Sequence, residues 1–246
     1  MSTNTAFILA AGFGTRLRPL TQHRPKPLLP LLGRPMIDYA LVALREHGHQ
    51  HIMINAHHLW KEVACWAEEN NVELQVELPE ILGTGGGLRA ALPRLADKVL
   101  IWNGDIIADI NLSELYDTCP QDGAAMALRH TEELGKITRV TPKPNGIVER
   151  IGTLTQMKDA PPIPKQSNGH HFTGIHTISK QGINLVPDIE GLSCIVRTAY
   201  CELIPQGKVQ AIIHQGQWVD AGTPDDYLNA NLLALHGKIS LPIDQW

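Results

Sequence analysis

Short apolar runs alternate with amphipathic segments from the first residues of this chain, and that alternation limits the folds open to it. Thr5–Ala10 (TAFILA) is a nearly continuous apolar run, the pattern of a strand buried on both faces in a parallel sheet. Met36–His47 then places Ile37, Ala40, Leu41 and Leu44 on one helical face, with Pro35 at its start and Gly48 at its end. His51–Asn55 reads as a strand, Leu59–Asn70 as a helix, Leu74–Glu77 as a strand, Leu88–Leu95 as a helix and Val99–Trp102 as a strand. Strands that alternate with helices in this way imply a parallel sheet with right-handed crossovers. From Gly135 the texture changes. KITRVTPKPNGIVERIG alternates apolar and polar residues around Asn145-Gly146, a strong hairpin signal. Asp159–His171 is a proline-rich loop, Phe172–Ile178 and Val209–His214 read as strands, and Ile195–Leu203 and Tyr227–Leu235 read as helices. The expected fold is α/β: a Rossmann-like, mixed but mostly parallel sheet flanked by helices, with a β-rich second half.

Composition narrows the partners. Of 246 residues, 43% are apolar and 19% charged, enough for a sizeable core, and the formal net charge is −4. A mildly acidic chain gives no broad nucleic-acid footprint, so any anion site must be local. Three Phe and four Tyr are too few for a base-stacking platform. Cys65, Cys119, Cys194 and Cys201 form no C-x-x-C pair and no secretory pattern precedes Thr5, which reads as free thiols in the cytoplasm. No apolar run approaches the roughly 20 residues of a membrane span.

The connection after the first strand, LAAGFGTRLRPLTQHRPKPLLPLLGRPMI (Leu9–Ile37), is far from ordinary. Connections in compact domains run about 4–6 residues, and this one is several times longer. Gly12 and Gly14 sit where an α/β sheet places its ligands, and glycine lets backbone N–H groups approach a phosphate. Arg16, Arg18, Arg24 and Lys26 supply positive charge for a polyanion, with Lys26 held between Pro25 and Pro27. A solvated surface loop is the plain alternative. A Walker loop would need G-K-[S/T], and a dinucleotide fingerprint a third glycine where Leu17 stands; both are absent.

G-x-G-T-R-L-R-P-L-T followed by P-K-P-L resembles the signature of sugar-1-phosphate nucleotidylyltransferases. The likeness continues in order through ILGTGGGLRAAL, IWNGDIIADINL, FTGIH and WVDAGTP. The short, single-domain members look most similar: N-acetylmuramate-1-phosphate uridylyltransferases, and nearly as much the short mannose-1-phosphate guanylyltransferases. The resemblance implies one domain over 1–246, with a nucleotide-binding half to about 128, a sugar-binding half from about 129, and no room after Thr223 for a C-terminal β-helix domain. The implied reaction is attack by a sugar-1-phosphate oxygen on the α-phosphate of a nucleoside triphosphate, with pyrophosphate leaving. Such chemistry needs positioning and charge neutralisation rather than a covalent partner.

Residue by residue, the resemblance implies that Arg16 and Lys26 hold phosphates and stabilise transition-state charge. Asp105, which ends VLIWNGD, matches the first magnesium ligand, and Asp220 in WVDAGTP the second; outside the family Asp105 reads equally as a turn or cap aspartate. Magnesium is a hard ion that is often held by one or two carboxylates together with substrate phosphates. Ala11, Gly12, Gly14, Thr15, Gly85 and Gly86 would seat the nucleotide, with Asn55 a further candidate. Asn103, Thr173 and Gly174 would face the sugar. Leu82–Leu92 taken alone is also consistent with a plain loop-to-helix junction, and Asp109 reads as structural. The chain departs from relatives that carry Glu-Lys-Pro ahead of the T-G strand: here the stretch is QMKDAPPIPKQSNGHH, where Lys158 or Lys165 is a candidate for the phosphate contact.

Other readings are open at this level. Twelve histidines, among them His47, His49 and His51 and the pairs His57-His58 and His170-His171, raise a zinc site, but they straddle element ends rather than share a face. Nucleotidylyltransferases for molybdopterin or isoprenoid precursors share L-A-A-G, but typically continue with a shorter loop. Phosphocholine cytidylyltransferases keep R-L-R-P-L-T, though a choline site would want an aromatic cage. A non-catalytic sugar-nucleotide-binding subunit would tolerate loss of Arg16, Lys26, Asp105 or Asp220, and all four are present. The expected partners are a nucleoside triphosphate and a sugar 1-phosphate, with Mg2+ as cofactor, in a monomer or small homo-oligomer.

Overall fold

The structure, a computed structural model, describes residues 4–131, 139–152, 169–188 and 190–239. In chain order its regular elements begin with β1 (Thr5–Leu9), β2 (Pro30–Leu31), β3 (Arg34–Pro35), α1 (Met36–Glu46), β4 (His51–Ala56), α2 (Trp60–Glu69), β5 (Glu73–Val76) and α3 (Gly83–Ala91). There follow β6 (Lys98–Asn103), β7 (Ile106–Ala108), α4 (Leu112–Thr118), β8 (Ala124–Thr131), β9 (Arg139–Pro142), β10 (Val148–Ile151), β11 (Gly169–Ser179) and α5 (Lys180–Asn184). The last are α6 (Cys201–Leu203), β12 (Val209–His214), β13 (Trp218–Asp220) and α7 (Pro224–Leu235). The chain divides into two compact units: Met1–Gly83, Ile101–Ile110 and Gly216–Trp246 form one, Thr84–Leu100 and Asn111–Gln215 the other.

In the first unit the strand order is β6–β1–β4–β5. β1 and β4 run parallel with Phe7 opposite Met53, and β4 and β5 run parallel with Asn55 opposite Gln75. Ala6, Phe7, Ile8, Met53 and Ile54 are buried, as continuous apolar strands require. The helix expected at Met36–His47 is α1, and Gly48 follows it at φ 87°, a left-handed position suited to glycine. A cluster of Leu17, Leu29, Leu31, Met36, Tyr39, Ile107, Val219, Ala221 and Ala230 packs the long loop, β7, β13 and α7 together.

In the second unit the order is β10–β9–β11–β8–β12. β8 pairs antiparallel with β11 and parallel with β12, so this sheet is mixed. The hairpin at Asn145-Gly146 forms as expected: β9 and β10 are antiparallel and Gly146 takes φ 82°. Much of the proline-rich Asp159–His171 segment, with Lys158 and Lys165, lies outside the described residues. Two differences from the sequence expectation bear on the site. α3 begins at Gly83 rather than Leu88, because the glycine run itself forms the first turns. The helix expected at Ile195–Leu203 opens as a π-helix over Val196–Tyr200 and closes as α6, with the Tyr200 amide donating to Ile195 O across five residues. Among the described residues no helix is long and apolar enough to cross a membrane.

Candidate active site

The long loop is a series of three 3₁₀ turns folded back on itself. Gly14, at φ 62°, precedes the first turn, Thr15–Leu17, and its carbonyl accepts from the Thr21 hydroxyl at 2.8 Å. A Cβ at Gly14 would lie 2.9 Å from Thr21 Cγ2 and 3.2 Å from Lys26 Cβ. Only glycine lets the loop close and bring Lys26 beside its own start. Gly12 is exposed, and nothing lies within 4 Å of where its Cβ would be. Ala11 is buried beside it, while Thr15 and Arg16 are exposed.

Lys26 opens the third turn, Lys26–Leu28, and its ammonium bonds the Asp105 carboxylate. Pro27 packs on Gly104, whose amide donates to Leu9 O at 2.9 Å, so β1, the lysine turn and the aspartate turn meet in one place. Asp220 stands 115 positions after Asp105 in the chain and reaches it through strand pairing. β13 runs antiparallel to β7 with Asp220 opposite Ile106, and the Ala221 amide donates to Asp105 O at 3.1 Å. Asp220 Oδ1 is buried without a hydrogen-bond partner among the described residues. Burial, reinforced by the charge of Asp105, pushes the Asp220 carboxyl up to about 6, while Lys26 and Arg16 pull it down. A Cβ at Gly222 would lie 2.8 Å from Asp220 Oδ1 and 3.1 Å from both Nη atoms of Arg16. Arg16, Lys26, Asp105 and Asp220 therefore gather in the first unit, around a space that Gly222 keeps open.

The cations of the loop do not all join them. Arg24 lines a separate cavity of about 370 Å³ with His23, Leu28, Glu62, Cys65 and Trp66. Asn103 ends β6, half-buried. Asn55 is 2% exposed and engaged at both ends: its Oδ1 accepts from the Ala10 amide, and its Nδ2 donates to Glu77, each at 2.7 Å. Glu77, just past β5, was not singled out in the sequence. Its place after an apolar run offered no signal beyond that of a strand end.

In the second unit, Gly85 and Gly86 donate their amides to Ser193 O at 2.8 and 3.4 Å. A Cβ at Gly85 would come within 3.0 Å of Ile195 N and Ser193 Oγ, so close packing against 193–195 demands glycine there. Thr173 is buried; its hydroxyl donates to Ala127 O at 2.8 Å and accepts from the Ile175 amide at 3.3 Å. It spans the irregularity in the β11–β8 register at which Gly174 adopts φ 84°.

Other chemistries find little support. No group of three or more His, Cys, Asp or Glu among the described residues is placed to hold a metal ion. None of the four cysteines is in a disulfide, and burial pushes the Cys119 thiol up to about 11, far from a nucleophilic thiolate.

Known proteins share this architecture. The chain is 28% identical over 237 residues to the N-acetylmuramate alpha-1-phosphate uridylyltransferase of Neisseria meningitidis serogroup B, covering 93% of this chain and 97% of that one. It is 27% identical to the UTP–glucose-1-phosphate uridylyltransferase of Synechocystis (92% of this chain, 62% of that one) and 26% identical to the mannose-1-phosphate guanylyltransferase of Mycobacterium tuberculosis (96% and 66%). Against these two and several other curated relatives it spans only about half to two-thirds of their length. The crystal structure of HddC from Yersinia pseudotuberculosis has the same fold, with a TM-score of 0.73 at 21% identity over 94% of this chain and 99% of that one. Residues 6–169, more than half of the chain, match the family described as the MobA-like NTP transferase domain, and to that family the chain belongs.

Proposed function

We propose that this protein transfers a nucleotidyl group from a nucleoside triphosphate to a sugar 1-phosphate, releasing pyrophosphate. The observation that carries the reading is the convergence of Arg16, Lys26, Asp105 and Asp220, two of them on the loop that also carries Gly12 and Gly14. In the reaction an oxygen of the sugar 1-phosphate attacks the α-phosphorus in line. The bond from that phosphorus to the bridging oxygen of the β-phosphate breaks, and pyrophosphate departs with the electron pair. Charge on the phosphoryl oxygens is the main obstacle, and in this reading Arg16 and Lys26 meet it. The exposed Gly12–Thr15 backbone seats the phosphates, with no protein nucleophile required.

The two aspartates fit a magnesium ion. They supply hard oxygen donors, Asp220 Oδ1 is buried and unpartnered among the described residues, and the carboxyl, raised first by burial and then by the charge of Asp105, lacks a counter-charge that a divalent cation would supply. Bound there, such an ion would draw charge from the substrate phosphates. In this reading Gly85 and Thr173 act by shaping their segments.

UTP with N-acetylmuramate 1-phosphate or another hexose 1-phosphate is the favoured pair, since the Neisseria relative is matched along nearly its whole length. GTP with mannose 1-phosphate is the second reading, on the likeness to the Mycobacterium enzyme. The expected setting is the cytoplasm. The test is pyrophosphate release from a grid of nucleoside triphosphates against sugar 1-phosphates with magnesium, run beside Asp105→Asn. One productive combination, lost in the variant, is expected. A blank grid from folded protein would overturn the reading.

A further inference from the structure

A buried row of hydrogen bonds crosses the carboxyl ends of three adjacent parallel strands. It starts at the Ala10 amide, just past β1, which donates to Asn55 Oδ1 on β4 at 2.7 Å. Asn55 Nδ2 donates to Glu77 Oε1, just past β5, at 2.7 Å. The Leu82 amide, immediately before α3, donates to Glu77 Oε2 at 2.7 Å. The row thus laces the loop that carries Gly12 to the segment that leads into the glycine-rich start of α3. A second contact runs beside it: His57 Nδ1 donates to Glu77 O at 2.8 Å, and the His57 ring meets Phe13, between Gly12 and Gly14, edge-on at 5.3 Å.

The polarity of the row leaves it no slack. Backbone amides only donate, so Asn55 must turn its oxygen to Ala10 and its NH2 group to Glu77. The side chain at 77 must then accept at both ends. A carboxylate does so, whereas a glutamine of the same shape presents a donor to one of the two. Keeping a carboxylate here is costly, since Glu77 is only 2% exposed and burial pushes its pKa above the usual range, against the pull of Leu82, Asn55 and His57.

We infer that Glu77 is a positioning residue that holds the Ala10–Gly12 backbone and the Leu82–Gly83 backbone at one fixed spacing, so that a nucleoside triphosphate meets both together. This rests on the reading of those two segments as the nucleotide's seat. The Asn55 joint is buried, while the Leu82 joint is partly open to water. In Glu77→Gln the oxygen therefore stays with Asn55 and the Leu82 joint opens. The phosphate loop keeps its anchor and the nucleoside side loses one.

The experiment is calorimetric titration of wild type and Glu77→Gln with UTP, GTP and inorganic tripolyphosphate, each with magnesium. The folded fraction then appears in the stoichiometry and not in the affinity. The variant is expected to bind the preferred triphosphate about tenfold more weakly while its affinity for tripolyphosphate stays within about twofold. Leu82→Pro, which removes the N–H at the far end and keeps the carboxylate, carries the same expectation if Glu77→Gln is recovered unfolded. Unchanged affinity for the triphosphate, or an equal loss for both ligands, would overturn the inference. Wild-type protein that binds none of the three would instead overturn the function on which it rests.

Discussion

At the scale of single residues, two glycines make opposite predictions. Above Gly222 the space is taken by Asp220 Oδ1 and the Arg16 guanidinium, at 2.8 and 3.1 Å from an added Cβ. Gly222→Ala is expected to push the arginine and aspartate apart and lower kcat/KM by about 100-fold, the order of loss that misplacement by an ångström brings. Above Gly12 there is nothing within 4 Å. Gly12→Ala should leave the melting temperature unchanged and, if Gly12 seats a phosphate as proposed, still weaken triphosphate binding, because its methyl group would stand in the phosphate's way. Thermal melts and titrations on the two variants check both. A Gly12→Ala protein that binds the triphosphate as wild type does would remove Gly12 from the site.

At the scale of elements, α7 holds the second aspartate in place. Thr223 caps it by accepting from the Asp226 amide at 3.2 Å, Pro224 takes the first helical position, and Asp225 and Asp226 lie in the first turn. The Tyr227 hydroxyl bonds Pro30 O, and Ala230 joins the cluster that holds Leu17, Leu29 and Val219. Thr223→Ala is expected to cost about 1 kcal/mol in urea denaturation. A loss well below that would mean that packing of Tyr227 and Ala230 alone sets where the helix begins. The sequence reading starts this helix at Tyr227, where apolar periodicity begins, and not at the capped turn that precedes it. The start of α3 was not legible, because glycine is a poor helix former and only its partners at 193–195 show why a glycine run is helical here.

At the scale of the whole molecule, buried histidines set the acid limit. Burial pushes His49 down to about 4 and His176 to about 3, and the His176 Nδ1 is bonded by the Tyr200 hydroxyl. Both are neutral in the folded state, whereas in the unfolded chain a histidine takes up its proton near 6.5. Below that value the unfolded state binds more protons, so the stability from these groups is complete above pH 6.5 and falls as pH drops toward 4. At pH 5.5 each is expected to contribute a loss of about 1.4 kcal/mol, and the two together about 3 kcal/mol, relative to pH 7.5. Asp220, raised to about 6 in the folded state, binds a proton over the same range and offsets about 1 kcal/mol of that loss. Urea titrations of wild type and His49→Asn at the two values isolate the histidine part, and the variant should lose about 1.4 kcal/mol less than wild type. An equal loss in the two proteins would mean that the His49 ring gains access to water.

What the sequence determined by itself is local: the alternation of strands and helices, the hairpin at Asn145-Gly146, and a loop in which glycines and cations share a stretch too long to be a plain connection. Those features follow from periodicity, chirality and turn chemistry, which act between residues a few positions apart. Tertiary structure decided the rest. It sent Arg24 to another cavity, set Asp220 beside Asp105 through the register of β13 on β7, and placed Glu77 between Asn55 and Leu82. Register and burial depend on which distant segments pair, and composition leaves no trace of that pairing at the residues involved. A strand-end glutamate reads the same in sequence whether it points into water or accepts from Asn55 and Leu82. Only the packed neighbours of Glu77 distinguish the two.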